Sequence, residues 1–284
     1  MVPLLAVALL LAAGISPTLA QYKCANINVA LDKRDAIVHP AYYKRRGAPK
    51  PVDVYFHVTS MEAHKDRITD TIVDAQFKVM QSTYQRHGFE LNLVNVSRIV
   101  DDVAGKGFYD EDHVITDQEA YMSWRRATRR GGYDALNVYF FSDLSELIGG
   151  QCNLPTNVTA GTDAFYQDGC WINGDTMPGL GPRSANGTGM SSEGHIGVHE
   201  VGHWFGLVHT FEGDPCNEVN DGVADTPTIA YPSWGCPIGR DSCPDLPGLD
   251  AIHNFMDYSS CMKEFTVGQE VRMHQQFDMF RRKP

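Results

Sequence analysis

The segment His199-Glu-Val-Gly-His203-Trp-Phe-Gly206-Leu-Val-His209 constrains the fold more than any other stretch of this 284-residue chain. On an α-helix, positions four apart share a face. His199 and His203 therefore present their imidazoles side by side, and Glu200 projects beside that face. Gly206 takes a positive φ at no steric cost, ends the helix and swings the chain back. That reversal lets His209 reach a point from which a straight helix would carry it away. His195 lies four residues before His199. It is too distant from His203 along the helix to share an ion with it, and reads as a polar neighbour.

Three neutral imidazoles with one open position form the donor set of a hydrolytic zinc site, whereas closed structural sites usually contain thiolates. Glu200 is placed to act as general base and acid. The bland alternative is a buried helix with surface histidines. Five fixed residues within eleven positions weigh against it.

Composition narrows the setting. Hydrophobic residues make up 43% and charged residues 21%, an ordinary globular balance. The net charge of −11 repels phosphate backbones, so nucleic acid is not an expected partner. Residues 1–20 read as a signal peptide, apolar from Leu4 to Ala13 with small Thr18 and Ala20 before Gln21. An uncleaved anchor is the alternative, and no later apolar run approaches the roughly 20 residues of a membrane span. Seven cysteines suit an oxidising compartment. The sequons at Asn95, Asn157 and Asn186 are candidate glycosylation sites of an exported chain. Residues 21–46 carry Lys23, Lys33, Arg34, Lys44, Arg45 and Arg46 against Asp32 and Asp35. This basic leader on an acidic body is a candidate propeptide, with cleavage expected near Arg45 or Arg46.

From Val52 the sequence alternates as a strand. Ile68 to His87 has helical apolar spacing, with Thr69 or Asp70 to start it and Gly88 to stop it. Strands are expected at Phe89–Val100 and Ala135–Phe141, and a helix at Asp117–Arg130. This β-α-β-α-β order predicts a mostly parallel sheet backed by helices. Gly149 to Asn186 reads as loops and an edge strand. The helix of the histidines begins near Ile196, and a last helix spans about Gln269 to Phe280. The catalytic unit divides at Gly206 into subdomains 47–206 and 207–284, with substrate in the cleft between them.

HExxHxxGxxH is the metzincin signature. Asn254-Phe-Met256-Asp-Tyr258, 47 residues after His209, fits the methionine turn that lies beneath the metal in that clan. More narrowly, the chain resembles the pappalysin family, in particular its ulilysin-like secreted fungal and microbial members. The matching stretches are His199–Glu212, Val223–Pro227, Gly235–Pro237, Asp241–Cys243, the methionine turn and Phe265–Gln269 with Arg272-Met273. The resemblance covers about residues 195–275; the first half matches in element order. It implies a secreted zinc endopeptidase on a metzincin α/β (α+β) fold. That fold is a twisted, mixed five-stranded sheet with backing and active-site helices and an irregular disulfide-bonded C-terminal part. Protein or peptide substrates follow. A secreted binding protein or toxin on the same scaffold is the rival from another class, and an amidase acting on a small molecule is a second. An intact Glu200 argues against pure binding.

The six cysteines of the body leave many pairings open. The resemblance implies Cys216–Cys243 and Cys236–Cys261, after which Cys152 and Cys170 remain for each other. Cys24 is left over in the leader. It is a candidate cysteine switch, whose thiolate would take the open metal position; a disulfide is the alternative. Relatives often follow that cysteine with Gly, where Ala25 stands here. Relatives bind calcium near Asp221, Asp225 and Thr226, so Ca²⁺ is a second candidate ion; a solvated acidic turn is the alternative. Tyr258 is either a hydrogen-bond donor to the oxyanion or a packed core tyrosine. Relatives usually carry a longer acidic stretch after this tyrosine, which shapes the S1′ pocket. Here Ser259 and Ser260 alone separate Tyr258 from Cys261, and no P1′ preference is carried over.

Overall fold

The computed structural model describes residues 47–110, 114–115, 117–183, 193–216 and 221–282. The expected signal peptide and propeptide (1–46, with Cys24) and Asn186 lie outside the described residues.

Strand β1 (Lys50–Ser60) is flanked by β2 (Phe89–Val100) and β3 (Leu136–Phe141), both parallel to it. Strand β5 (Cys170–Asn173) adds parallel to β3, and β4 (Gly150–Cys152) closes the edge antiparallel to β5. The order is β2-β1-β3-β5-β4. Helix α1 (Asp70–Arg86) follows β1, and α2 (Gln118–Thr128) precedes β3, as the pattern predicts. Their starts have local causes. Thr69 accepts a hydrogen bond from the Ile72 amide, and Asp117 accepts one from the Ala120 amide at 2.8 Å.

The stretch after Gly149 is more ordered than loops with one strand. It holds two strands and a short helix α3 (Asp163–Gln167), and β5 is an interior strand. β5 is only four residues long and sits between glycines, so no alternating pattern announces it. The glycines are there because a Cβ at Gly169 would lie 2.5 Å from the Asn137 carbonyl oxygen, and one at Gly174 would lie 2.9 Å from that of Phe141.

Alternation along β1 divides its side chains between two layers. Val52, Val54, Phe56 and Val58 are buried with Val73, Met80 and Tyr84 of α1 and with Val198 and Val201 of α4 (His195–Trp204). His57 points the other way and stacks on Tyr139 at 4.4 Å. There Trp124 and Arg125 of α2 cover Tyr139 at 4.9 Å and 4.2 Å. Helices thus close both faces, as a parallel sheet requires.

Among the described residues, 206–266 contain no regular helix or strand. Disulfides Cys216–Cys243 and Cys236–Cys261 tie this stretch together, and Cys152–Cys170 joins paired positions of β4 and β5. Helix α5 (Val267–Gln276) starts two residues before the expected Gln269, because Thr266 and Gln269 form a reciprocal capping box. A π-helical turn, Phe277–Arg281, extends it. Arg281 donates to the Trp204 carbonyl at 2.8 Å and pairs with buried Asp168 at 3.1 Å. The turn that extends α5 is thereby fastened to the end of α4.

Candidate metal centre

α4 begins at Gly194 (φ 80°), whose carbonyl accepts a hydrogen bond from Gln76 of α1 at 3.1 Å. The Tyr84 hydroxyl donates to the Val198 carbonyl at 2.7 Å. These contacts hold the helix against α1 while its apolar side chains enter the core. Its far end is a Schellman turn. The Gly206 amide donates to the His203 carbonyl at 2.8 Å and the Leu207 amide to that of Gly202 at 3.0 Å. Gly206 has φ 95°, and a Cβ there would lie 2.5 Å from Cγ of Gln276. Two constraints therefore fix glycine at this position.

The reversal brings His199, His203 and His209 together. Among the described residues they form the one group of three His, Cys, Asp or Glu with metal-holding spacing, their ligand atoms within 4.8 Å of one another. All three are buried, as is Glu200. The outer ring nitrogens fix the tautomers. His199 Nδ1 donates to the Phe255 carbonyl at 2.6 Å, and His203 Nδ1 to the Leu207 carbonyl at 2.8 Å. His209 Nδ1 donates to the Glu212 carboxylate at 3.0 Å. Each Nε2 lone pair is therefore turned inward, an arrangement that also raises ligand basicity.

His199 Nε2 and His203 Nε2 are 3.2 Å apart. Neither can donate to the other, because both protons reside on Nδ1. Two nitrogens each about 2.0–2.1 Å from a tetrahedral ion would be separated by roughly 3.3–3.4 Å. The donor set and spacing thus fit zinc. Burial, helped by His209, lowers the pKa of His199 to about 3, and burial holds His203 well below the usual histidine value. Both rings are neutral and ready to ligate near neutral pH.

Met256 is fully buried under α4, and a Cβ on Gly202 would lie 2.6 Å from its sulfur. Asn254 holds this turn by accepting from the Met256 amide at 2.9 Å and by exchanging amide hydrogen bonds with Gln269 at 2.8 and 3.0 Å. Tyr258 reaches the cluster, its hydroxyl donating to His209 Nε2 at 3.1 Å. On the sheet side, Gly150 of β4 lies so close to Glu200 that a Cβ would stand 2.8 Å from its Cγ. His195 is half-buried, is not part of the metal-holding group, and packs edge-on against Phe255.

The expected calcium donors lie in other hydrogen bonds. Asp225 accepts from the Thr266 hydroxyl at 2.7 Å and the Gly268 amide at 2.8 Å, capping α5. Asp221 is buried, accepts from the Val223 amide at 2.9 Å, and has its pKa raised by burial to about 7. Thr226 is buried too. Asn95 on β2 and Asn157 are exposed. Glu212, Gly150 and the carbonyls of Phe255 and Leu207 were not identified from the sequence. Of these, Glu212 alone left a signal, an acid three residues after the third histidine.

A helix carrying two inward-facing histidines, a reversal bringing the third and a methionine turn beneath match the site of a metal-dependent hydrolase. Residues 180–278 match the family described as Peptidase_M43, pregnancy-associated plasma protein-A. The chain is 38% identical to extracellular metalloprotease 1 of Coccidioides posadasii, over 99% of this chain and 98% of that one. It is 42% identical to an extracellular metalloprotease of Pyricularia oryzae, over 81% of this chain and 76% of that one. The chain belongs to the M43 metallopeptidase family. Its fold is shared with mature mirolysin of Tannerella forsythia, solved with a cleaved peptide, at TM-score 0.62 and 21% identity over 82% of this chain and 93% of that one. No described helix is long and apolar enough to cross a membrane.

Proposed function

We propose that this chain is a secreted zinc endopeptidase in which His199, His203 and His209 hold one catalytic ion. The observation that carries this reading is the set of inward-turned Nε2 atoms, each backed by a carbonyl or carboxylate on Nδ1. Zinc, when bound at such a site, supplies Lewis acidity toward a carbonyl and lowers the pKa of water. Glu200 accepts the proton of the attacking water and returns it to the leaving amine. Its burial excludes bulk solvent from that exchange. Tyr258 donates a hydrogen bond to the oxyanion, supported by the position of its hydroxyl beside His209. Met256 supports the cluster from beneath.

The remaining assignments belong to the same proposal. Residues 1–20 direct export, as the relatives' description as extracellular supports. Residues 21–46 form a removable leader with Cys24 as the latch, and 47–206 and 207–284 are the two catalytic subdomains. Asn95, Asn157 and Asn186 carry glycans. Calcium at Asp221, Asp225 and Thr226 would share Asp225 with the cap of α5. The test is casein hydrolysis by the secreted protein, with and without a zinc chelator, beside Glu200→Gln. Chelator-sensitive hydrolysis lost in the variant is expected. Chelator-resistant hydrolysis, or none by the zinc-loaded protein, would overturn the proposal.

A further inference from the structure

Strand β4 lies beside the proposed general base. Gly150 and Cys152 are two residues apart and share one face of the strand. Cys152 is buried in the same core as Val198 and Val201 of α4. A Cβ at Gly150 would stand 2.8 Å from Cγ and 3.0 Å from Cδ of Glu200, and 2.9 Å from the Trp171 carbonyl oxygen. The β4 backbone is therefore a wall against which the Glu200 side chain rests, and the wall has no room for a side chain at that point.

Which residue of β4 stands there depends on register, and no turn sets it. The strand is three residues long, lies at the sheet edge, and among the described residues pairs with β5 alone. A tight turn fixes the register of a hairpin, but here residues 153–169, with α3 inside them, join the two strands. The chain enters β4 through Gly149-Gly150, and Gly-rich strands specify register weakly. Asn173 holds that entry, its amide donating to the Gly149 carbonyl at 2.8 Å and its side chain to the carbonyls of Ser145 and Ile148 at 3.0 Å each. Such bonds exchange with water at modest net cost. A one-residue slip in one direction would bring Gln151, side chain included, to the place opposite Ile172 that Gly150 holds. The Cys152–Cys170 disulfide closes that route. Its cysteines face each other across the ladder. Because successive Cβ atoms point to opposite faces, a slip of one residue would leave the two sulfurs out of bonding reach.

We infer that the Cys152–Cys170 disulfide is a positioning element of the active site: it pins the register of β4 so that Gly150, and no side chain, backs Glu200. The inference rests on the endopeptidase reading and adds a determinant of its rate. The test uses the zinc-loaded protein, expressed as the full chain in a secretory host, on a fluorogenic peptide. Cys152→Ala/Cys170→Ala should lower kcat about tenfold with zinc content unchanged. Adding Gly150→Ala to that variant should cost less than about threefold more, whereas two independent defects would multiply. Inserting two glycines after Gly161, an exposed position with open space around it, should leave kcat within about twofold while the disulfide is formed. A double-cysteine variant with wild-type kcat, losses that multiply, or a larger loss from the insertion would overturn the pin and leave the peptidase reading intact. Should the double-cysteine variant not fold, the insertion decides: kcat within about twofold upholds the pin, and a larger loss overturns it. No hydrolysis by the wild type would overturn both readings.

Discussion

Replacing Gly206 by Ala tests how the helix end builds the metal centre. At φ 95° an L-residue carries a backbone penalty of about 1–2 kcal/mol. The new Cβ would also stand 2.5 Å from Cγ and 2.7 Å from Cβ of Gln276, about an ångström inside normal contact. Overpacking of this kind adds roughly 1–3 kcal/mol. The sum, about 2–5 kcal/mol, should lower the melting temperature by about 4–20 °C at the roughly 2–4 °C per kcal/mol of larger domains. The reversal also positions the Leu207 carbonyl that holds His203 Nδ1 and delivers His209 to the cluster. Zinc affinity should therefore fall about tenfold to a hundredfold, as when other supporting contacts are lost. Competitive titration with a chelating dye reads affinity, and thermal unfolding reads stability. A Gly206→Ala protein with wild-type affinity and a melting temperature within about 2 °C would refute this account of the reversal.

Gly150→Ala places a methyl group against Glu200 without altering any metal ligand, so kcat should fall at least tenfold while zinc content holds; equal kcat would separate β4 from the glutamate. His57 is buried between Ser97 and Asn137, and burial lowers its pKa from 6.5 to about 4. The unfolded chain takes up this proton below about pH 6.5 and the folded chain only near pH 4, so stability present above pH 6.5 is lost as pH falls through that window. The loss is on the order of 3 kcal/mol. Urea unfolding across that range should show a shallower slope for His57→Gln, and an identical slope would remove His57 as the cause. Gln269→Ala leaves the Asn254 amide without its reciprocal partner and should cost about 1–3 kcal/mol, measured by the same unfolding.

Much of the fold was legible because its longer elements carry their own signals. α1 shows helical spacing between Thr69 and Gly88, and β3 (Leu136–Phe141) is apolar except for Asn137. The grouping of His199, His203 and His209 was legible because a four-residue spacing and a glycine act locally. Strand β5 was not, since its pairing with β3 depends on glycines that only the tertiary neighbours Asn137 and Phe141 explain. The same holds for the supporting groups of the site. The carbonyl that orients His199 is 56 residues away, and the pairing of Asn254 with Gln269 depends on where α5 docks. The disulfide partners came from resemblance, because spacing does not choose among pairings.

The proposed hydrolysis needs one zinc ion held by three Nε2 atoms. Anomalous diffraction from crystals of the purified protein, collected on either side of the zinc absorption edge, tests this most directly. One peak per chain should lie about 2.0–2.1 Å from Nε2 of His199, His203 and His209. A zinc-loaded crystal with no peak there, or with those rings turned away from any common point, would contradict it.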